Sequence, residues 1–365
     1  MTIRSVKSGT LNTLQVTGVS SIAVPTQPAK PTISNIGANG ATVSFTPALI
    51  GGTATSFTAT ASPGGATISG SSSPLQIAGL SDSTSYTVVV KATNANGDSV
   101  NSVASDAFTT LTPYNLNVNY LVIAGGGSNT GGSLGGGGGA GGYRTSYSTT
   151  GGNGSAESPV SITSGIGYTV TVGAGGSNSV FSSVTSTAGG NAPGGSGGSG
   201  AGGGGARTAS PVQGMAGGSS GYGGGGGAGQ AGSNGGPGRY GSYGGSGGNG
   251  LASSITGTSV TRAGGGGGPT NSAPTVGSGG SGGTGGGGTG GSNSFSDRWG
   301  FNPGSGGTAG TANTGSGPGG SGLVVLRFDG TKVLTVGAGL TSTNTTDGGD
   351  KVYTFTAGTG TVTWS

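Results

Sequence analysis

The sequence predicts an all-β chain in which polyglycine II serves as a second building material, and three observations carry that expectation. Short Thr-, Ser- and Val-rich runs with alternating apolar residues recur throughout, while no segment repeats its apolar residues at helical spacing. Glycine supplies 96 of 365 residues, many in blocks such as Gly135–Gly139, Gly223–Gly227 and Gly264–Gly268. Two apolar strands, Tyr120–Ala124 and Leu323–Phe328, bracket the glycine stretch from Gly125 to Gly322. Four segments are expected: an N-terminal β segment over 1–24, a β-sandwich over 25–112, a polyglycine II helix bundle capped by β-strands over 113–328, and a small C-terminal β segment over 329–365.

Residues 1–24 offer Ile3–Val6 and Leu11–Val24 as strand, too little to fold alone, so pairing with another chain or with the next domain is expected. Pro25, Pro28 and Pro31 mark the boundary that follows. Over 31–112 the candidate strands are Thr32–Ile36, Ala41–Thr46, Ser56–Ala61, Leu75–Ile77, Ser85–Thr93 and Val103–Thr110. Turn clusters separate them, among them Gly51-Gly52, Pro63-Gly64-Gly65 and Asn96-Gly97-Asp98. Short strands with turns at this spacing are the signature of a sandwich. The run from Gly79 to Gly97, with Leu80 and Tyr86, resembles the E–F corner and F strand of a fibronectin type III module. Phe45 stands where that family usually has Trp. The resemblance implies a fold, and such modules are most often spacers.

The glycine stretch is either a solvated tether or a material. A tether is expected to be uniformly polar, whereas Val180-Phe181, Ile255, Val260, Tyr240, Tyr243, Trp299 and Phe301 interrupt this one with packing groups. Polyglycine II has three residues per turn and no internal hydrogen bonds, so each buried N–H and C=O needs a partner on a neighbouring segment. Glycine lets backbones approach closely enough to supply it. Ordering costs roughly 1–2 kcal/mol per residue, so strands clamping both ends are expected. Collagen is excluded, because the Gly-X-Y period is missing and prolines number only 15. Within and after this stretch, Ser158–Val172 reads as a hairpin and Ser179–Thr187 and Ser253–Thr261 as strands, followed by Lys332–Val336, Lys351–Thr356 and Thr361–Trp364.

Asn119–Gly127, Gly138–Arg144, Tyr168–Gly176, Ile255–Gly268 and Gly319–Phe328, in that order, resemble the glycine-rich domain of bacteriophage tail-fibre and receptor-binding proteins, a relative of which occurs in animal receptor tyrosine kinases. The start, Met1–Val6, resembles N-termini of phage structural proteins. The resemblance implies a polyglycine II lattice capped by strands, in a virion protein that attaches to a host. Its partners would be other virion proteins, through the N-terminal segment, and a cell-surface glycan or protein. A homotrimer and a single chain both remain open. Met1–Gly9 has no apolar core of a signal peptide, which fits assembly into a virion in the host cytoplasm. Two other readings stand beside it: a decoration or fibre protein of capsid, neck or baseplate with an accessory adhesion role, and an ice-binding or matrix protein, which would need a regular Thr or Ala stripe.

The chain holds no Cys and no His, which removes disulfides, zinc thiolates and His-dependent triads. Its 12 basic residues give a net charge of +4 but form no run, so no nucleic-acid surface is expected. No segment has the ~18 apolar residues of a membrane span, so no insertion is expected either. Gly-x-Gly-x-x-Gly matches arise from composition, without a strand-to-helix context, and no cofactor is expected. Of the 8 carboxylates only Asp347 and Asp350 are close in sequence, in Thr346–Asp350, which reads as a solvated turn; no enzyme activity is expected. Candidate receptor contacts are the aromatic and basic insertions Arg239, Tyr240 and Tyr243, and Arg298, Trp299 and Phe301. Rigid aromatic groups and arginine dominate binding hot spots; for each, capping the glycine lattice is the alternative role.

Overall fold

The computed structural model describes residues 23–129, 137–238, 241–270, 277–292 and 307–365. The N-terminal strand expected over Ile3–Val6 and Leu11–Val24 lies outside them, save its last two residues. The chain divides into two compact units, 1–113 and 114–365.

The first unit holds β1 (Thr32–Ser34), β2 (Gly40–Ser44), β3 (Ser56–Ser62), β4 (Thr67–Gly70), β5 (Leu75–Ala78), β6 (Ser85–Asn94), β7 (Gly97–Asp98) and β8 (Phe108–Thr109). Strands β1, β2 and β5 form one sheet, and β4, β3, β6, β7 and β8 the other. Alternation sends Phe57, Ala59, Ala61, Val88 and Val90 inward against Val43, Leu75 and Ile77, one core between two sheets. The corner is closed as the family resemblance implies: Leu80 and Tyr86 are buried, and the Ser81 N–H donates to the Tyr86 hydroxyl at 3.0 Å. The strand expected over Val103–Thr110 shrinks to β8. Before it, the N–H groups of Ser99, Ser102 and Ser105 donate to the carbonyls of Ala92, Val90 and Val88. The hydroxyls of the same serines accept from the N–H of those three β6 residues. Side chains thus replace half of a strand ladder.

The second unit holds β9 (Asn115–Ile123), β10 (Tyr143–Thr145), β11 (Val160–Thr163), β12 (Gly167–Val172), β13 (Ser179–Phe181), β14 (Val184–Ser186), β15 (Gly236–Gly238), β16 (Gly241–Tyr243), β17 (Leu251–Ser253), β18 (Val260–Arg262), β19 (Leu323–Asp329), β20 (Leu334–Val336), β21 (Leu340–Asp347) and β22 (Asp350–Trp364). Ten of these make one sheet in the order β10-β9-β19-β22-β12-β13-β14, with β11 on β9 and both β20 and β21 on β22.

Several expectations change here. The strands that bracket the glycine stretch do not clamp opposite ends: β9 and β19 are antiparallel neighbours, with Leu323 opposite Ile123. The stretch therefore ends beside the place where it began, after contributing β10 to β14 to the same sheet on the way. The expected hairpin over Ser158–Val172 does not form, because β11 pairs with β9 and β12 with β22. Ser179–Thr187 and Ser253–Thr261, expected as single strands, turn back as hairpins, β13–β14 and β17–β18. Over 329–365 the expected Lys332–Val336 appears as β20, while Lys351–Thr356 and Thr361–Trp364, expected as separate strands, merge into the 15-residue β22, whose first half pairs with β19 and second half with β12. No helix bundle is found over 113–328: among the described residues the one helical element is the three-residue turn Gly151–Asn153. The glycine segments run outside helix and mostly outside strand.

Both faces of the sheet are covered. One buries Tyr120, Val122, Phe181, Leu326, Phe328, Phe355 and Trp364, with the Trp364 ring edge-on to Phe328 at 5.5 Å. The other carries Leu121, Ile123, Leu323, Val325 and Val352. Onto that second face pack Ala140, Ala228 and Ala263, the single alanine that adjoins each of the three five-glycine blocks, after the first two and before the third.

Candidate functional site

Glycine segments bond to one another through backbone alone, and the pattern has a period of three. Along 244–250, the N–H groups of Gly244, Gly247 and Gly250 donate to the carbonyls of Ser278, Ser281 and Thr284. Those of Gly245 and Gly248 donate to Tyr222 and Gly225, while their carbonyls accept from Gly268 and Gly265. The carbonyls of Ser246 and Asn249 accept from Ser233 and Gln230. One segment thus reaches neighbours in several directions, which no β-strand can do. The blocks 137–142, 223–228 and 263–268 are buried throughout. Contact there is too close for side chains: a Cβ on Gly225 would stand 2.1 Å from the Gly138 carbonyl oxygen.

Side chains survive where the lattice meets solvent. Tyr243, Ser246 and Asn249 are exposed on one segment and Ser278, Ser281 and Thr284 on the next, with Gly245, Gly248, Gly280 and Gly283 buried between them. The rows are tied crosswise. The Ser281 hydroxyl donates to that of Ser246 at 3.1 Å, and the Thr284 N–H to Asn249 Oδ1 at 3.0 Å. Asn249 Nδ2 donates to Gln230 Oε1 at 2.7 Å. The result is an uncharged array of hydroxyl and amide groups. Tyr243 stands at its edge, at the end of β16 in the β15–β16 hairpin, with 52% of its surface exposed. A Cβ on Gly236 would come within 3.4 Å of the Tyr243 hydroxyl, so the ring sits against bare glycine backbone.

Of the residues picked out by sequence, Tyr243 alone is placed this way. Arg239, Tyr240, Arg298, Trp299 and Phe301 lie outside the described residues. The array itself was not singled out in the sequence, although Ser278-Gly-Gly-Ser281-Gly-Gly-Thr284 spells its period.

Three of the carboxylates serve arginines. Asp347 and Asp350 flank the turn that joins β21 to β22, and both accept from Arg327, at 2.7 and 2.9 Å. Arg327 also donates to the Ile255 carbonyl and lies under the Tyr147 ring at 5.3 Å. Thr346–Asp350 is thus a turn, as expected, but one whose acids hold a buried guanidinium. On the opposite face Glu157 accepts from Arg144 Nε and from the Tyr120 hydroxyl, each at 2.9 Å. Burial, with the Glu157 carboxylate beside it, pushes the Tyr120 phenol well above its usual range. Among the described residues no three His, Cys, Asp or Glu side chains come together to hold a metal ion, and no helix is long and apolar enough to cross a membrane.

The fibronectin type III domain family matches residues 26–108, the span of the two-sheet core. The glycine-rich domain family matches residues 101–329. No curated protein matches the chain. Among solved structures, a crystal structure of titin domains A168–A170 is similar, at 20% identity over 25% of this chain and 34% of that one, with a TM-score of 0.23. The chain thus spans about a third of that structure's length. The glycine-rich match spans more than half of the chain, from the approach to β9 through the end of β19, and the chain belongs to the glycine-rich domain family.

Proposed function

We propose that this chain is a structural, non-enzymatic virion protein of a bacteriophage, a tail fibre or receptor-binding tip that attaches to its host by non-covalent recognition of a surface glycan or protein. The observation that carries it is the exposed array ending in Tyr243: a rigid, uncharged grid of hydroxyls and amides beside an aromatic ring, the chemistry that pairs with sugar hydroxyls and stacks on a sugar face. The five glycine motifs in phage-like order add support. In this reading the glycine segments are polyglycine II helices. A three-residue period in both exposure and hydrogen bonding fits that geometry, whose rise of about 3.1 Å per residue would space successive side chains of a row by roughly 9 Å. The N-terminal segment joins the chain to other virion proteins, the fibronectin type III unit spaces it, and Arg239, Tyr240, Arg298, Trp299 and Phe301 are further candidate receptor contacts. An ice-binding or matrix role calls for a Thr or Ala stripe, and the array mixes Ser, Asn, Gln and Thr with Tyr.

The test is attachment of the labelled full chain to susceptible cells, before and after glycosidase treatment of their surface. Tyr243→Ala is expected to weaken attachment at least about tenfold, as loss of a hot-spot aromatic does, and Tyr240→Ala and Trp299→Ala to weaken it too. Loss after glycosidase identifies a glycan, and retention a protein receptor. No attachment to any susceptible cell, together with unchanged adsorption of particles lacking the chain, would sink the reading. Unchanged adsorption with the chain located on capsid, neck or baseplate would favour a decoration role instead.

A further inference from the structure

Arg262 ends β18, on the hairpin that packs against the glycine-covered face of the sheet, and its setting differs from that of buried Arg327 and half-buried Arg144. Arg327, 8% exposed, has Asp347 and Asp350; Arg144 has Glu157. Arg262 is as buried as Arg327, at 9%, yet among the described residues it forms no ion pair, and its Nη1 is enclosed without a hydrogen-bond partner. Two more enclosed polar atoms without partners belong to the same neighbourhood, the Tyr143 hydroxyl and the Ser148 hydroxyl. The Ser148 and Ser253 hydroxyls lie beside the Tyr143 phenol, and the Arg262 charge bears on it.

Among the described residues no carboxylate supplies the missing counter-charge. A guanidinium stays protonated even where burial lowers its pKa, as here. Tyr143 cannot answer it as phenolate, since burial pushes that phenol up to about 12. The nearby carboxylates of Asp347 and Asp350 are held by Arg327, which reaches the same hairpin through the Ile255 carbonyl. An isolated buried charge is strongly unfavourable unless paired. The unpartnered groups are an N–H of a cation and two O–H groups, a donor set that suits an anion. Three donors converging on one point suit a monoatomic ion, whereas sulfate or phosphate would be left with buried oxygens lacking donors.

We propose that Arg262, Tyr143 and Ser148 form a buried site for one small halide ion, chloride in ordinary solution, which ties the β17–β18 hairpin to β10 and the loop after it. Bound there, the ion neutralises the guanidinium and satisfies the two hydroxyls. It is a structural ion, and its binding is linked to the stability of the second unit.

The test is the Tm of the full chain at constant ionic strength, with gluconate exchanged stepwise for chloride. A saturable rise is expected, about 5–10 °C once chloride stands a hundredfold above its Kd. Bromide should reproduce the rise and sulfate should not. Arg262→Met is expected to lose the response, and Tyr143→Phe to shift its midpoint to several-fold higher chloride. Crystals grown in bromide should show an anomalous peak beside Arg262 Nη1. A wild-type Tm indifferent to chloride, an equal response to sulfate, or a chloride response intact in Arg262→Met would each overturn the assignment. If Arg262→Met does not fold, the bromide map decides: no peak at Arg262 refutes the site.

Discussion

Replacing Gly225 by alanine tests whether bare backbone sets the spacing of the glycine segments. Its Cβ would stand 2.1 Å from the Gly138 carbonyl oxygen and 2.5 Å from the carbonyl carbon, against an ordinary contact of 3.4 Å or more. The two segments must separate by 3.4 − 2.1 = 1.3 Å. The bonds that join them, from Gly137 N to Gly223 O and from Ala140 N to Gly226 O, are 2.9 Å long and would stretch to about 4.2 Å, beyond hydrogen bonding. At about 1–3 kcal/mol for each buried bond left unmade, the loss is about 2–6 kcal/mol, a large part of the ~5–15 kcal/mol that holds a typical domain. Gly221→Ala is the control: Gly221 is exposed and a Cβ there meets nothing within 4 Å. That change should be neutral or stabilise by up to about 1 kcal/mol, through the entropy of the unfolded chain. Guanidinium unfolding followed by fluorescence of the buried Trp364 measures both. If Gly225→Ala unfolds at the same denaturant concentration as Gly221→Ala, close backbone packing does not hold the lattice together.

Three further outcomes follow from the same contacts. Tyr86→Phe removes the acceptor of the Ser81 N–H and should cost the first unit about 1–2 kcal/mol, read by calorimetry as a lower Tm for that unit. Arg144→Met strands the Glu157 carboxylate, whose side chain is only 19% exposed, and should cost about 3 kcal/mol; adding Glu157→Gln should recover part of it in chemical unfolding. Tyr143 and Tyr120 hold their phenolic protons more tightly folded than unfolded, chiefly through burial. Their contribution to stability is therefore whole below pH ~10, the unfolded value, and is lost as pH rises through about 12 for Tyr143. Absorbance near 295 nm should show two tyrosines still protonated at about pH 11 and ionising with unfolding; complete titration near pH 10 in folded protein would contradict the burial of both.

Much of the fold was legible because β structure and turns leave local marks. Alternation located β2, β3, β5 and β6, the pair Leu80 and Tyr86 marked the corner, and the apolar runs marked β9 and β19. Pairing was not legible. Ser158–Val172 has the look of a hairpin, yet β11 and β12 take different partners, since β22 offers the long edge that an isolated hairpin lacks. Nor was the use of Asp347 and Asp350 visible, because Arg327 is distant in sequence and meets them only when β19 and β22 pair. Arg262 carried no sign of its setting at all.

The sequence by itself determined that glycine here is material, since apolar residues punctuate the blocks and strands bracket them, and it determined where side chains are allowed, because only every third position of Ser278–Thr284 is other than glycine. Tertiary structure decided which segments touch, in which directions they bond, and that both bracketing strands lie side by side. Glycine has no side chain to specify a neighbour, so choosing one falls to the few residues that have: the alanines adjoining each block, which seat the lattice on Leu121, Ile123, Leu323 and Val325.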